Sequence, residues 1–113
     1  MTNLRLSDIS AARQGLVRLC QDIAYGQVVG TIVKGGDPVL DPPPTILIDV
    51  KLDAVADEPR VEAGLADFVL RGEVVRLLSR LDELRDGVVD RIEVRAGLPR
   101  RMIIKHEIRG GRP

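Results

Sequence analysis

Gly26-Gln27-Val28-Val29-Gly30-Thr31-Ile32-Val33-Lys34-Gly35-Gly36-Asp37-Pro38 can be laid without a gap over Gly87-Val88-Val89-Asp90-Arg91-Ile92-Glu93-Val94-Arg95-Ala96-Gly97-Leu98-Pro99. The leading glycine, Val28 with Val89, Val33 with Val94, Lys34 with Arg95, Gly36 with Gly97 and Pro38 with Pro99 coincide. Each copy reads the same way physically. A glycine closes the preceding element, a run rich in β-branched residues makes a strand, a glycine-containing turn reverses the chain, and a proline follows. Hairpin turns draw on few residue types, so part of the coincidence is turn chemistry; a duplicated unit accounts for the whole of it.

Each hairpin is preceded by a helical pattern. Ile9, Ala12, Leu16, Leu19, Cys20 and Ile23 recur at helical spacing behind Ser7 and Ser10, two residues suited to capping. The pattern predicts a helix over about 10–25, stopped by Gly26. Leu70, Val74, Leu77, Leu78, Leu81 and Leu84 form a second stripe, with Asp67 as its cap and Gly87 as its left-handed stop. Val17-Arg18-Leu19 matches Val75-Arg76-Leu77 once the second helix is given three extra residues. Glu73 with Arg76 and Asp82 with Arg85 stand three apart, as exposed pairs of about 0.2–0.5 kcal/mol each.

The strands follow from alternation. Residues 27–33 make the first, and Val39 and Leu40 begin its return before Asp41-Pro42-Pro43-Pro44 interrupts it. A proline run of this kind is a rigid spacer that lacks ladder donors, more than a ligand for an aromatic groove. Residues 45–52 resume with Ile46, Ile48, Val50 and Leu52 on one face, and the acidic stretch 53–64 reads as a surface connection. In the second unit Val88, Asp90, Ile92 and Val94 alternate with Val89, Arg91, Glu93 and Arg95, and 100–108 returns with Met102, Ile104, His106 and Ile108 on one face.

The expected fold is α+β: two α-β-β units forming an antiparallel sheet of four to five strands with two helices on one face. One domain spans 1–108, with unit one over about 7–52, unit two over about 67–108, and a flexible tail at 109–113. The other face of the sheet should display Leu47, Asp49, Lys51, Arg91, Glu93, Arg95, Arg101, Ile103, Lys105 and Glu107, a solvated mixture with apolar residues enough to accept a partner.

Composition supports a single packed core. The chain has 113 residues, 44% hydrophobic and 30% charged, ordinary values for a globular domain. Lys plus Arg equals Asp plus Glu at 17 each, so no whole-chain field draws the protein to nucleic acid or membrane. The charges are split along the chain, however: eight acids face two bases between 37 and 67, and seven bases face two acids between 91 and 112. Such asymmetry suits a contact between halves or copies, or a basic patch aimed at an anionic partner. Cys20 is alone, which excludes an internal disulfide and fits a reducing, cytoplasmic setting. No apolar run is long enough to span a bilayer, and residues 1–10 lack an apolar signal core, so neither membrane insertion nor secretion is expected.

Chemistry-bearing residues are few. With His106 the only histidine and Cys20 the only cysteine, a zinc site of ordinary ligand count is not expected. A Cys–His nucleophile pair would need Cys20 to face His106 across the core, whereas Cys20 lies in an apolar stripe. Asp37, Asp41, Asp49 and Asp53 match no calcium-loop spacing, and Gly35-Gly36 lacks the Lys-Ser/Thr of a phosphate loop. Neither a cofactor nor a catalytic residue is predicted. Arg95, Arg100, Arg101 and Lys105 around the second turn could grip phosphate as a two-stranded ribbon. Zero net charge and 2% aromatic content weigh against that reading. The leading expectation is therefore a non-enzymatic protein-interaction module, a homodimer that also binds another protein through a sheet face or edge. The alternative is a small DNA-binding regulator using the basic C-terminal hairpin.

Overall fold

A computed structural model of the chain describes residues 3–53 and 61–106. The Ser10 hydroxyl accepts from the Arg13 amide at 3.2 Å and so starts helix α1, Ala11–Ile23. Strands β1 (Gly26–Lys34), β2 (Asp37–Val39) and β3 (Thr45–Ile48) follow, then helix α2 (Gly72–Leu84) and strands β4 (Gly87–Arg95) and β5 (Leu98–Lys105). Short 3-10 turns occupy Leu6–Asp8 and Val61–Gly64. The predicted tail at 109–113 lies outside the described residues.

The fold is the expected α+β arrangement: one antiparallel five-stranded sheet in the order β2-β1-β4-β5, with β3 also paired to β1. β2 and β3 share one edge of β1, against Ile32–Lys34 and Gly26–Val29 respectively, and the chain between them holds a cis Asp41–Pro42 bond. Lys34↔Asp37 and Arg95↔Leu98 close two-residue turns in which both central residues have positive φ: 59° and 82° at Gly35 and Gly36, 53° and 76° at Ala96 and Gly97. Turns of this hand match the twist of the strands they join.

Both helices pack on one face, because α1 and α2 share a single core cluster with Val28, Val33, Val89, Ile92 and Val94 of the sheet. Leu16, Val17, Cys20 and Ile23 come from α1, and Val74, Leu77, Leu78 and Leu81 from α2. Each fully buried aliphatic contributes about 1.5–3 kcal/mol over an exposed one.

The two units correspond more closely than the sequence pattern predicts. Both helices are 13 residues long, and α1 with β1 lies 61 positions before α2 with β4 at every boundary. The three extra residues expected in the second helix are not needed: Leu16, Val17 and Cys20 stand in the places of Leu77, Leu78 and Leu81. Inner-face residues also correspond, as Val28, Thr31 and Val33 with Val89, Ile92 and Val94. Strict alternation is broken in both strands, by φ +76° at Gly30 and by a register shift at Asp90. That irregularity moves Val89, not Val88, into the core.

Other local expectations give way to tertiary contacts. Helix ends are not made by Gly26 and Gly87 but by Ala24 and Arg85, both at φ 62°. A Cβ on Gly26 would collide with the Leu47 carbonyl, so that glycine is there to let β3 approach. Asp67 does not cap α2, which starts at Gly72; it accepts from Arg5 Nε at 2.9 Å and from Ser7 N and Oγ at 3.0 Å. Those bonds strap the N-terminal segment against 67–70, with Leu6 N–H donating to Phe68 O and Leu70 N–H to Leu4 O. Of the face predicted for 45–52 only Ile46 packs on the core, while Ile48, Val50 and Leu52 are exposed. Asp82 pairs with Arg13 and Glu73 with Arg100, rather than with Arg85 and Arg76.

Candidate functional site

The helices cover one face of the sheet and leave the other bare among the described residues. On that face the cross-strand rows are Leu47–Gln27–Glu93–Arg101, Thr45–Val29–Arg91–Ile103 and Val39–Ile32–Val88–Lys105. The last two rows put Val29, Ile32 and Val88 at the centre, with Arg91 between Val29 and Ile103. Ile32, Leu47 and Ile103 are 42%, 48% and 40% exposed, and Val29, Val39 and Val88 are half-buried. Charges surround them as cross-strand neighbours, with Arg101 Nε 3.5 Å from Glu93. A cluster of exposed apolar side chains interspersed and bordered with charge is the composition of an interaction surface.

The irregularities at Gly30 and Asp90 build this surface. Without them Ile32 and Val88 would turn to the helices; with them both turn outward beside Val39. Leu47, Arg91, Glu93, Arg101, Ile103 and Lys105 fall on this face as alternation predicts. Val29, Ile32, Val39 and Val88 are not among the residues expected on this face, and nothing in the hydrophobic alternation marks the change of phase at Gly30 and Asp90 that turns Ile32 and Val88 outward.

The four predicted basic residues are divided between two surfaces. Arg101 and Lys105 stand in the outer rows, and Arg95 is exposed at the turn. Arg100 occupies the irregular position between Pro99 and Arg101 and reaches back toward α2, its guanidinium 3.9 Å from Glu73. Asp37 does not join Asp41, Asp49 and Asp53 in a cluster; it accepts from Ser10 Oγ at 2.8 Å and pairs with Arg13. Among the described residues no group of three His, Cys, Asp or Glu side chains could hold a metal ion, and no helix is long and apolar enough to cross a membrane. Cys20 is 1% exposed, and burial pushes its thiol up to about 12. His106 lies exposed beyond the end of β5. These surroundings do not generate a thiolate.

A cavity of about 940 Å³ opens between the end of α1, the second turn and the start of α2, with Gln21, Tyr25, Leu70, Arg71 and Gly97 in its wall. Its counterpart in the other unit is filled. There Arg13 donates from Nε and Nη2 to Gly36 O at 3.2 and 2.9 Å and pairs with Asp82. The residue 61 positions on from Arg13 is Val74, buried in the core, so among the described residues no arginine takes the equivalent place in the second site. Arg71 is tied to Glu62 at 2.8 Å near the mouth.

Comparison with known proteins finds no family model, no curated protein and no solved structure that matches the chain.

Proposed function

We propose that this chain is a non-enzymatic interaction module that pairs with a second copy of itself through the bare face of the sheet. The reading rests on one observation: Val29, Ile32, Val39, Leu47, Val88 and Ile103 lie together on the face that no helix covers. Exposed apolar area of this kind is stabilised by burial against a like surface. The near-equivalence of the two units supports a duplicated origin. A two-fold dimer would bring Glu93 and Arg101 of each copy toward the rim of the other.

The nucleic-acid reading has less support. Arg100 is turned toward Glu73, and Arg101 toward Glu93, so phosphate would have to displace carboxylates at both. Sedimentation velocity over a range of concentrations tests the dimer. The unaltered chain is expected to shift from monomer to dimer, and the Ile32→Glu, Ile103→Glu double variant to remain monomeric with unchanged circular dichroism. A chain that stays monomeric at every concentration would remove the proposal.

A further inference from the structure

The sheet has two edges of different character. The β2/β3 edge is split into pieces of three and four residues around a proline run and carries acidic neighbours. The β5 edge is unbroken, and past the irregularity at Arg100 it runs regularly from Arg101 to Lys105. Among the described residues no strand lies beyond it. Beside it, between α2 and β5, runs a small groove of about 180 Å³. Leu77, Pro99 and Met102 are its apolar lining, and Arg76, Arg80, Arg100 and Arg101 surround them, with Glu73 the one acid in the wall among the described residues.

We infer that this edge and groove take an extended acidic peptide, added to the sheet as a sixth strand beside β5. An added strand alternates its side chains, one set above Arg101, Ile103 and Lys105 and the other above Met102 and the groove. Both sets would meet arginine or lysine, so carboxylates are the matching charge. A second copy does not fit here. Antiparallel pairing of β5 with its own copy about Ile103 would set Arg101 opposite Lys105 twice, like charges directly across a ladder. The inference rests on the reading of the chain as an interaction module. It shares Arg101, Ile103 and Lys105 with the margin of the dimer face, but Arg76, Arg80 and Met102 on the groove side lie off that face, and variants there separate the two.

The experiment is fluorescence anisotropy with a labelled octapeptide alternating glutamate and valine, titrated with the full chain at low salt. Saturable binding is expected, weakened at least about tenfold in the Arg76→Ala, Arg80→Ala double variant, whose changes are at exposed positions of α2 away from the dimer face. The same peptide methylated at alternate backbone nitrogens should not bind, because it cannot form the ladder. Equal binding of the methylated peptide or of octaglutamate would overturn the inference in favour of plain charge attraction. Tighter binding of a single-stranded oligonucleotide at the same arginines would overturn it in favour of nucleic acid. Loss of self-association without loss of peptide binding would remove the dimer and leave this site standing.

Discussion

Ala24 and Arg85 hold the same strained backbone conformation at the ends of the two helices, φ 62° with ψ −60° at Ala24 and φ 62° with ψ −70° at Arg85. Each sits at the centre of a γ-turn, Tyr25 N–H donating to Ile23 O and Asp86 N–H to Leu84 O, both at 2.7 Å. Each then offers its carbonyl to the other unit. Gly36 N–H donates to Arg85 O at 2.8 Å, and Gly97 N–H donates to Ala24 O at 2.9 Å. The hairpin turn of one unit thus locks the helix end of the other, in both directions, which explains why neither helix ends at its nearby glycine.

Glycine adopts this region without the Cβ penalty, so Ala24→Gly and Arg85→Gly should each stabilise the fold. Strain of about 1–3 kcal/mol is offset by about 0.4–1 kcal/mol of added chain entropy. The expected net gain is of order 1 kcal/mol per site, read as a rise in the urea midpoint. Unequal effects of opposite sign at the two positions would contradict their equivalence.

Thr31 is 1% exposed on the helix-facing side of β1, and among the described residues its hydroxyl has no hydrogen-bond partner. The corresponding residue in β4 is Ile92, fully buried. Thr31→Val keeps the shape and removes an unpaired buried polar group, so it should stabilise the protein by about 1 kcal/mol. Thermal unfolding followed by circular dichroism checks this, and a lower midpoint would mean the hydroxyl is satisfied.

Arg13 joins the start of α1 to the first turn and to Asp82 at the end of α2. Its half-buried bonds to a carbonyl and a carboxylate make Arg13→Ala a loss of about 1.5–3 kcal/mol. Arg80→Ala removes an exposed pair with Glu83 and should change stability by less than about 0.5 kcal/mol. Equal denaturation midpoints for the two variants would deny Arg13 its role as a clip.

The Arg5 side-chain bond, followed by the Ser7 backbone amide, holds the Asp67 carboxyl down at about 2 against an ordinary 3.8. A depressed carboxylate favours the folded state above its ordinary value, and that contribution is lost as the pH falls from about 4 through about 2. Asp67→Asn should flatten this part of the stability profile. Identical acid limbs for the variant and the unaltered chain would show that the N-terminal strap does not depend on the charge.

Local patterns recovered the helix stripes, the two glycine turns and the charged half of the bare face with Leu47 and Ile103, because each depends on residues close in sequence. The Leu70 to Leu84 stripe and the Lys34–Asp37 turn are of that kind. What escaped depends on contacts across the fold. Asp67 is an ideal cap by type, yet Arg5 and Ser7, some 60 positions away, claim it. Ile48, Val50 and Leu52 alternate as a strand should, but β1 offers partners only as far as Gly26. The change of phase at Gly30 and Asp90, which places Ile32 and Val88 on the bare face, has no signature in hydrophobic alternation.

The central claim is that this bare face meets its own copy. An isotope-filtered NOE experiment on a mixture of ¹³C-labelled and unlabelled chains tests it directly. The expected result is intermolecular contacts at the methyl groups of Val29, Ile32, Val88 and Ile103, with those of Leu16 and Leu81 silent. Contacts absent everywhere, or confined to the helices, would contradict the account.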